Sequence, residues 1–386
     1  MEEFDVTIVG AGLAGLYLSQ LLAQSGWRVA LTDRKRSLEE SVHTTGIFVR
    51  KTLEDFALPQ DCLGPPIRDV TLYSPRLRAV NLSSVHDEFR VGRMRLLYSR
   101  LLKRCRHAGV EWLPEMRYVG HAVTDKGVTI TFDNHRGLCR FGTRYIVGAD
   151  GATSRVAETL GLDRNSEWIV GCEEVFKGVK PGGSPRLHCF LDPRLAPGYI
   201  AWITNDGEET HVGVGGYAAK FDPAQALVEF RNRIPPSLVD FGTAELIDRR
   251  GGRIPVNGIL PRIANERGLL VGDAAGAVSP LTAGGLDACL RLSEVAASVI
   301  GKYLRTSDAR VLAPYSGERF RTRFVSRLWM RRIAANVANP ELLEVACMSL
   351  RLPLFRSFAR HIFFGRGSFP DLKLEYEHSV PLPQRL

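Results

Sequence analysis

Gly10, Gly12 and Gly15 form a G-x-G-x-x-G pattern directly after the strand-like run 4–9, and Asp33 closes the next apolar run at 28–33. Each spacing has a mechanical use. Gly10 permits a tight turn, Gly12 lets backbone approach a pyrophosphate at a helix N-terminus, and Gly15 allows close helix packing. Leu13 and Ala14 begin that helix, and the Asp33 carboxylate can accept hydrogen bonds from a ribose 2′-hydroxyl. Strand, turn, helix and second strand make a βαβ unit of about 30 residues. In that context the glycines read as a dinucleotide site rather than as a structural turn.

Positioning such a site takes a mid-sized chain. The 386 residues allow two or three domains, and 45% apolar with 24% charged residues exclude disordered, collagen-like and coiled-coil classes. Fifty-one Lys and Arg against 42 Asp and Glu leave a net charge of +9, which favours anionic partners. Seven cysteines form no C-x-x-C and no zinc-type cluster with His, which points to a reducing cytosol and no structural metal. No signal-peptide pattern opens the chain, and no stretch reaches the roughly 18 to 20 uncharged apolar residues of a membrane span. A cytoplasmic location is expected.

The order of elements follows from the patterning. A helix at 94–107, stopped by Gly109, leads into runs at 110–117, 127–132 and 138–147 that read as a small antiparallel meander. From 167 to 217 polar and apolar residues alternate between turns, which predicts a second sheet lining a substrate chamber. A buried-type strand at 268–272 and a helix at 284–304 return the chain to its first domain. The expected fold is α/β: a Rossmann-type nucleotide domain from 1–52, 88–160 and 262–310, interleaved with a β-sheet substrate domain from 53–87 and 161–261. A helical C-terminal region, 311–386, completes it.

Two further segments extend the first motif: Gly148-Ala-Asp150-Gly151-Ala-Thr-Ser154-Arg155, and Gly272-Asp273-Ala-Ala-Gly276 followed by Pro280-Leu-Thr-Ala-Gly284-Gly285. Together with Gly10 to Gly15, over about residues 4–300, they resemble the three-motif pattern of FAD-dependent monooxygenases and their relatives, the geranylgeranyl reductases and flavin halogenases. The resemblance implies an FAD cofactor and NAD(P)H as reductant. It also implies that Asp273 hydrogen-bonds the ribityl chain. Beyond the Pro280 loop, the backbone N–H groups of Gly284, Gly285 and Leu286 would stabilise negative charge on the reduced flavin ring. Arg93, with Arg95 as the competing assignment, would reach the FAD phosphates or ribityl chain. Asp150, Gly151 and Arg155 would lie between the pyrophosphate and the approaching nicotinamide, or else form a turn held by a local ion pair. Arg34 either stacks on adenine or is a solvated charge. Thr44, Thr45 and Gly46 either bring backbone to the isoalloxazine ring or form a plain loop.

Within the family, Gly276 stands where aromatic hydroxylases place His, and Ser-Pro-Leu-Thr resembles the reductase loop more closely. Tyr199 and Trp202 resemble the reductases' Tyr-x-Trp strand with one extra residue, although Thr204-Asn205 replaces the usual Phe-Pro. The halogenase Trp-x-Trp-x-Ile-Pro segment is absent. The leading expectation is reduction of a C=C bond in an apolar, isoprenoid-like substrate. The alternatives are a monooxygenase that hydroxylates or epoxidises a small molecule, and a non-enzymatic binder of prenylated partners on the same fold. A family Cys near the flavin is missing, so His43 is either a substitute proton donor or a loop histidine. Cys172, His188, Tyr199 and Trp202 face the chamber or belong to the core. No catalytic side chain is assigned, because the flavin carries the redox chemistry.

Arg319, Arg323, Arg327 and Arg331 recur at i+4 beside Phe320, Phe324 and Leu328, which predicts a basic amphipathic helix. Such a helix either lies on an anionic membrane surface or docks on its own domain with the basic face solvated. Nucleic-acid binding is not expected, since no recognition motif accompanies the charge.

Overall fold

The computed structural model describes residues 2–40, 42–124, 127–181, 183–321 and 324–365. Its first sheet grows from the run Glu3–Val9, where Val6, Thr7 and Ile8 are all buried, as a strand covered on both faces requires. Parallel neighbours flank it in the order Gly268–Leu270, Gly137–Gly148, Glu3–Val9, Val29–Thr32, Glu111–Leu113. Helix Leu13–Gln24 packs against both Leu286–Thr306 and Met94–His107.

The meander differs from the expectation. Glu111–Leu113 is the parallel edge strand, and the antiparallel unit is Arg117–Thr124, Gly127–Asn134 and Gly137–Gly148. The last of these is 12 residues long and serves two partners: its first half pairs antiparallel with Gly127–Asn134, and its second half runs parallel beside Glu3–Val9.

The second sheet has seven strands, in the order Glu245–Pro255, Trp168–Lys177, Thr210–Gly216, Ala201–Asn205, Arg186–Phe190, Asp69–Tyr73, Ala79–Ser83. Side chains alternate between its faces. Ala201, Ile203, Val212 and Val214 pack on Ala226, Leu227 and Phe230 of helix Pro223–Arg233. Gly171, Glu173 and Trp202 face the other way, into a large cavity. On that face a Cβ at Gly213 would lie 2.2 Å from the Trp202 ring, and one at Gly215 would lie 2.8 Å from the Tyr199 ring. These strand glycines are the bed on which the two aromatic rings lie.

Helices Gly317–Arg321, Val325–Asn336, Pro340–Ser349 and Pro353–Phe364 follow. The arginine stripe is not one solvated helix face. Arg319 belongs to the first of these helices, Arg327 and Arg331 to the second, and Arg323 and residues 366–386 lie outside the described residues. Arg331 is buried and Arg327 half-buried, whereas Trp329 and Ile333 are exposed. The polarity is inverted because Arg331 stacks over the Tyr199 and Tyr217 rings inside the molecule.

Candidate active site

A cavity of about 1300 Å³ runs between the parallel sheet, the second sheet and the C-terminal helices. The glycine turn forms one end. Gly10 has φ +105°, and a Cβ there would lie 2.2 Å from the Ala149 carbonyl oxygen; one at Gly15 would lie 2.0 Å from that of Gly10. At Gly12 a Cβ would meet nothing within 4 Å, so this backbone faces open space. Leu13, Ala14, Asp33, Arg34, Thr45, Gly46, Asp150 and Gly151 also line the cavity. The Asp33 carboxylate accepts the Ala11 N–H at 2.8 Å and the Lys35 N–H at 2.9 Å, which fixes its orientation and leaves lone pairs free.

Asp273 lines the same cleft with Gly284, Gly285 and Leu286, the last of which opens helix Leu286–Thr306. No donor among the described residues reaches the Asp273 carboxylate, and burial pushes its pKa up to about 6. Asp150 is in the opposite condition. It accepts hydrogen bonds from the Ser154 hydroxyl at 2.6 Å and from the N–H groups of Arg155 and Val156 at 2.8 and 3.1 Å. Its turn is therefore held by hydroxyl and backbone donors; the Arg155 side chain is exposed.

Three residues fall elsewhere than expected. The Arg93 guanidinium pairs with Glu208 at 3.0 Å and is not among the cavity-lining residues; Arg95 pairs with Asp248 at 2.5 Å. Acids on the second sheet and its turns have captured both. Pro280 is buried behind the cavity wall near Gly258 rather than lining it. Gly276 has φ +67°, and a Cβ there would lie 2.5 Å from the Gly258 carbonyl oxygen, so backbone packing fixes glycine at this position.

Of the remaining candidates, His43, Cys172, Tyr199 and Trp202 line the cavity. His188 instead pairs with the Tyr73 hydroxyl at 3.0 Å, and burial pulls its pKa down to about 4. Burial, helped by nearby Lys35, also holds the His43 pKa below its ordinary value.

Sequence reasoning missed Glu173. This buried carboxylate accepts hydrogen bonds from the Thr45 hydroxyl, the Trp202 indole N–H at 3.1 Å and His211 Nδ1 at 3.2 Å, and Arg250 lies 3.6 Å away. Asp206 stands 3.7 Å from the other His211 ring nitrogen. Burial alone would push the His211 pKa down, but the two carboxylates override it and hold the pKa at about 9. Burial alone would raise the Glu173 pKa, yet His211, Thr45 and Arg250 hold it below the ordinary carboxylate value. An ionised pair is thus embedded in the cavity wall. The available signal was an acid on the cavity-facing side of an alternating strand, directly opposite Arg250.

The open space at Gly12, the oriented Asp33 and the donorless Asp273 fit a flavin dinucleotide laid along this cleft. Residues 3–179 match the FAD binding domain family. The chain is 28% identical over 362 residues to digeranylgeranylglycerophospholipid reductase 2 of Methanopyrus kandleri, covering 89% of this chain and 90% of the relative. A geranylgeranyl bacteriochlorophyll reductase-like protein of Thermoplasma acidophilum has a similar solved structure, with TM-score 0.79 and 18% identity, covering 89% and 90% of the two chains. Residues 3–179 thus carry an FAD binding domain, and along most of its length the chain is similar to digeranylgeranylglycerophospholipid reductases. The flavoprotein also overlays p-nitrophenol 4-monooxygenase of Pseudomonas putida, with TM-score 0.66 and 18% identity over 94% of both chains.

Two outcomes are expected. Asp273→Ala should weaken FAD binding roughly five- to a hundredfold, about 1 to 3 kcal/mol, because the cleft loses a buried carboxylate that no donor of the described protein uses. Asp150→Ala should weaken it less, since the protein itself uses that carboxylate. Equal Kd values for FAD in titrations of the two apoproteins would refute the assignment. The second concerns pH. Folded His211 titrates near 9 against an unfolded 6.5, so its stabilisation is complete below pH 6.5 and is lost as the pH rises through 9. Urea unfolding at pH 6.5 and 9.5 should show a loss of roughly 2 to 3 kcal/mol that His211→Gln largely removes.

Proposed function

We propose that this flavoprotein reduces a carbon–carbon double bond of a long apolar, isoprenoid-like substrate with electrons drawn from NAD(P)H. The observation that carries the reading is the continuity of the cavity. The same cavity that Gly12 and Asp273 line is also lined by Tyr199, Trp202, Leu187, Ile200, Met330, Val337, Phe358 and Ile362. This apolar part of the lining suits a hydrocarbon chain. In this reading residues 1–52, 88–160 and 262–310 hold the cofactor, 53–87 and 161–261 the substrate, and the described helices between 317 and 364 close the chamber.

Bound FAD would supply the hydride. Asp33, the Gly12 backbone and Asp273 would hold it, and the N–H groups around Leu286 would favour negative charge at the start of their helix. Tyr199 and Trp202, fixed on the Gly213 and Gly215 bed, would press the substrate chain toward the ring. Reduction also needs one proton at carbon. A charged His211 beside the cavity holds such a proton: its Nδ1 donates to Glu173, whose other oxygen accepts a hydrogen bond from the Thr45 hydroxyl.

A membrane surface is the proposed source of substrate, reached by a different face than the arginine stripe. Trp329, Ile333, Leu342, Val345, Leu354 and Phe355 are exposed on three successive helices, and Trp329, Ile333 and Leu342 together line a second hollow. No helix among the described residues is long and apolar enough to cross a membrane, so contact would be peripheral.

Photoreduced enzyme under anaerobic conditions should be reoxidised by an isoprenoid lipid, with loss of one double bond per flavin. Strict oxygen dependence, with labelled oxygen in the product, would replace the reductase by the monooxygenase. In vesicle sedimentation, Trp329→Ser with Ile333→Ser should reduce bound protein several-fold; unchanged binding would discard this face.

A further inference from the structure

The loop 279–285 carries Gly284 and Gly285 into the cleft, and bonds within the loop hold it in one shape. The Ser279 N–H donates to the Gly284 carbonyl at 3.0 Å, the Ala283 N–H donates to the Ser279 carbonyl at 2.9 Å, and the Thr282 hydroxyl donates to that of Ser279 at 2.9 Å. Ala283 is left at φ +53°, in the left-handed region that a Cβ disfavours. Strain of this kind persists only where the surroundings over-determine the backbone. Here helix Val325–Asn336 adds two braces from outside. Arg327 Nη1 donates to the same Ser279 hydroxyl at 3.1 Å. One turn on, the Arg331 guanidinium lies 5.6 Å from the centre of the Tyr199 ring, whose hydroxyl donates to the Thr282 carbonyl at 2.7 Å. Two arginines of one helix bear on one loop.

Both arginines line the cavity, and neither has a carboxylate partner within 4.0 Å among the described residues, although Arg50, Arg250 and Arg291 do. Arg331 is only 3% exposed, and its Nη2 is buried without a hydrogen-bond partner. The acid whose charge bears on Arg327, Asp287, is already bonded to Arg291 at 3.0 Å and to Thr52 at 2.8 Å. A hydroxyl and an aromatic ring can orient a guanidinium, but they supply no counter-charge. Unbalanced cations in a low-dielectric wall favour whichever group opposite them gains negative charge. A flavin is such a group, because two electrons taken up with one proton leave its ring with one negative charge. We propose that Arg327 and Arg331 are positioning residues for bound FAD: they hold the 279–285 loop in its strained shape and leave positive charge on the cavity wall, so that reduced flavin is bound more tightly than oxidised flavin. The reduction potential of the bound cofactor is thereby raised. Arginine suits this post because it stays ionised where a buried lysine loses its proton. The tuning rests on the reading of the cleft as the FAD site, and it acts before any choice of substrate.

The test is the reduction potential of FAD in the holoenzyme, measured anaerobically at neutral pH against a reference dye, together with the Kd of oxidised FAD. In the wild type, bound FAD should have a higher potential than free FAD. Arg327→Gln should lower the potential by about 30 mV or more, which corresponds to tenfold in the preference for reduced over oxidised flavin. Arg331→Gln, acting through Tyr199, should lower it less, and Arg327→Lys should keep part of the wild-type value. A wild-type potential below that of free FAD would overturn the proposal without any variant. Unchanged potentials in both glutamine variants would also overturn it. So would variants that weaken oxidised and reduced FAD alike, because a purely structural brace changes affinity without moving the potential. Wild-type apoprotein that takes up no FAD would remove the reading of the cleft itself, and the tuning with it.

Discussion

The buried carboxylate of Glu173 is the interaction on which the two halves of this molecule depend. It sits midway along Trp168–Lys177, the strand beside the edge of the second sheet, yet it takes a hydrogen bond from Thr45, in a loop that lines the cavity. Arg250, beside it, donates to the Thr44 carbonyl at 3.3 Å. The loop and the cavity face of the second sheet are thus held by charge-assisted bonds inside a low-dielectric interior, where such bonds are strong and an unpaired member would be expensive. His211 and Arg250 keep the carboxylate ionised, and Asp206 helps to keep His211 charged. Removing one member leaves the others uncompensated, so the group acts as a unit.

Around that anchor, glycine and aromatic residues divide the work of shape. A strand with Gly213 and Gly215 on one face and Val212 and Val214 on the other has an apolar core side and a bare side. The bare side accepts Trp202 flat enough for its indole N–H to reach Glu173 across the Gly213 position. Any side chain at Gly213 would push the indole away, and the hydrogen bond and the cavity wall would be lost together. One strand therefore couples core packing, ring placement and the electrostatics of the site.

The βαβ unit and its glycine turn were legible because they are local signals: spacing along the chain dictates backbone conformation. The second sheet was legible from its period of two. What escaped were properties of pairing between distant strands. Nothing local distinguishes Glu173 from Glu174, yet one faces the cavity and the other pairs with Arg231 and Arg249 on the opposite face. The pairing of Arg93 escaped for a similar reason, since Glu208 lies in a hairpin turn more than a hundred residues away. The meander was misread because strand Gly137–Gly148 changes partners halfway along, and no residue in it marks the change.

The arginine stripe carries the most general lesson. Periodicity at i+4 identifies a face, but the choice of which face turns inward belongs to whatever the helix packs against. Here the inward surface includes two tyrosine rings, and a guanidinium is one of few polar groups that gains by lying flat on such rings while keeping donors free at its edge. Trp329 and Ile333 are displaced outward as a result. A face of apolar residues turned to solvent and a pair of cations turned to a hydrocarbon chamber each run against the usual partition. Both follow from one packing decision on one helix, which sets the charge of the chamber and the character of the outer surface together.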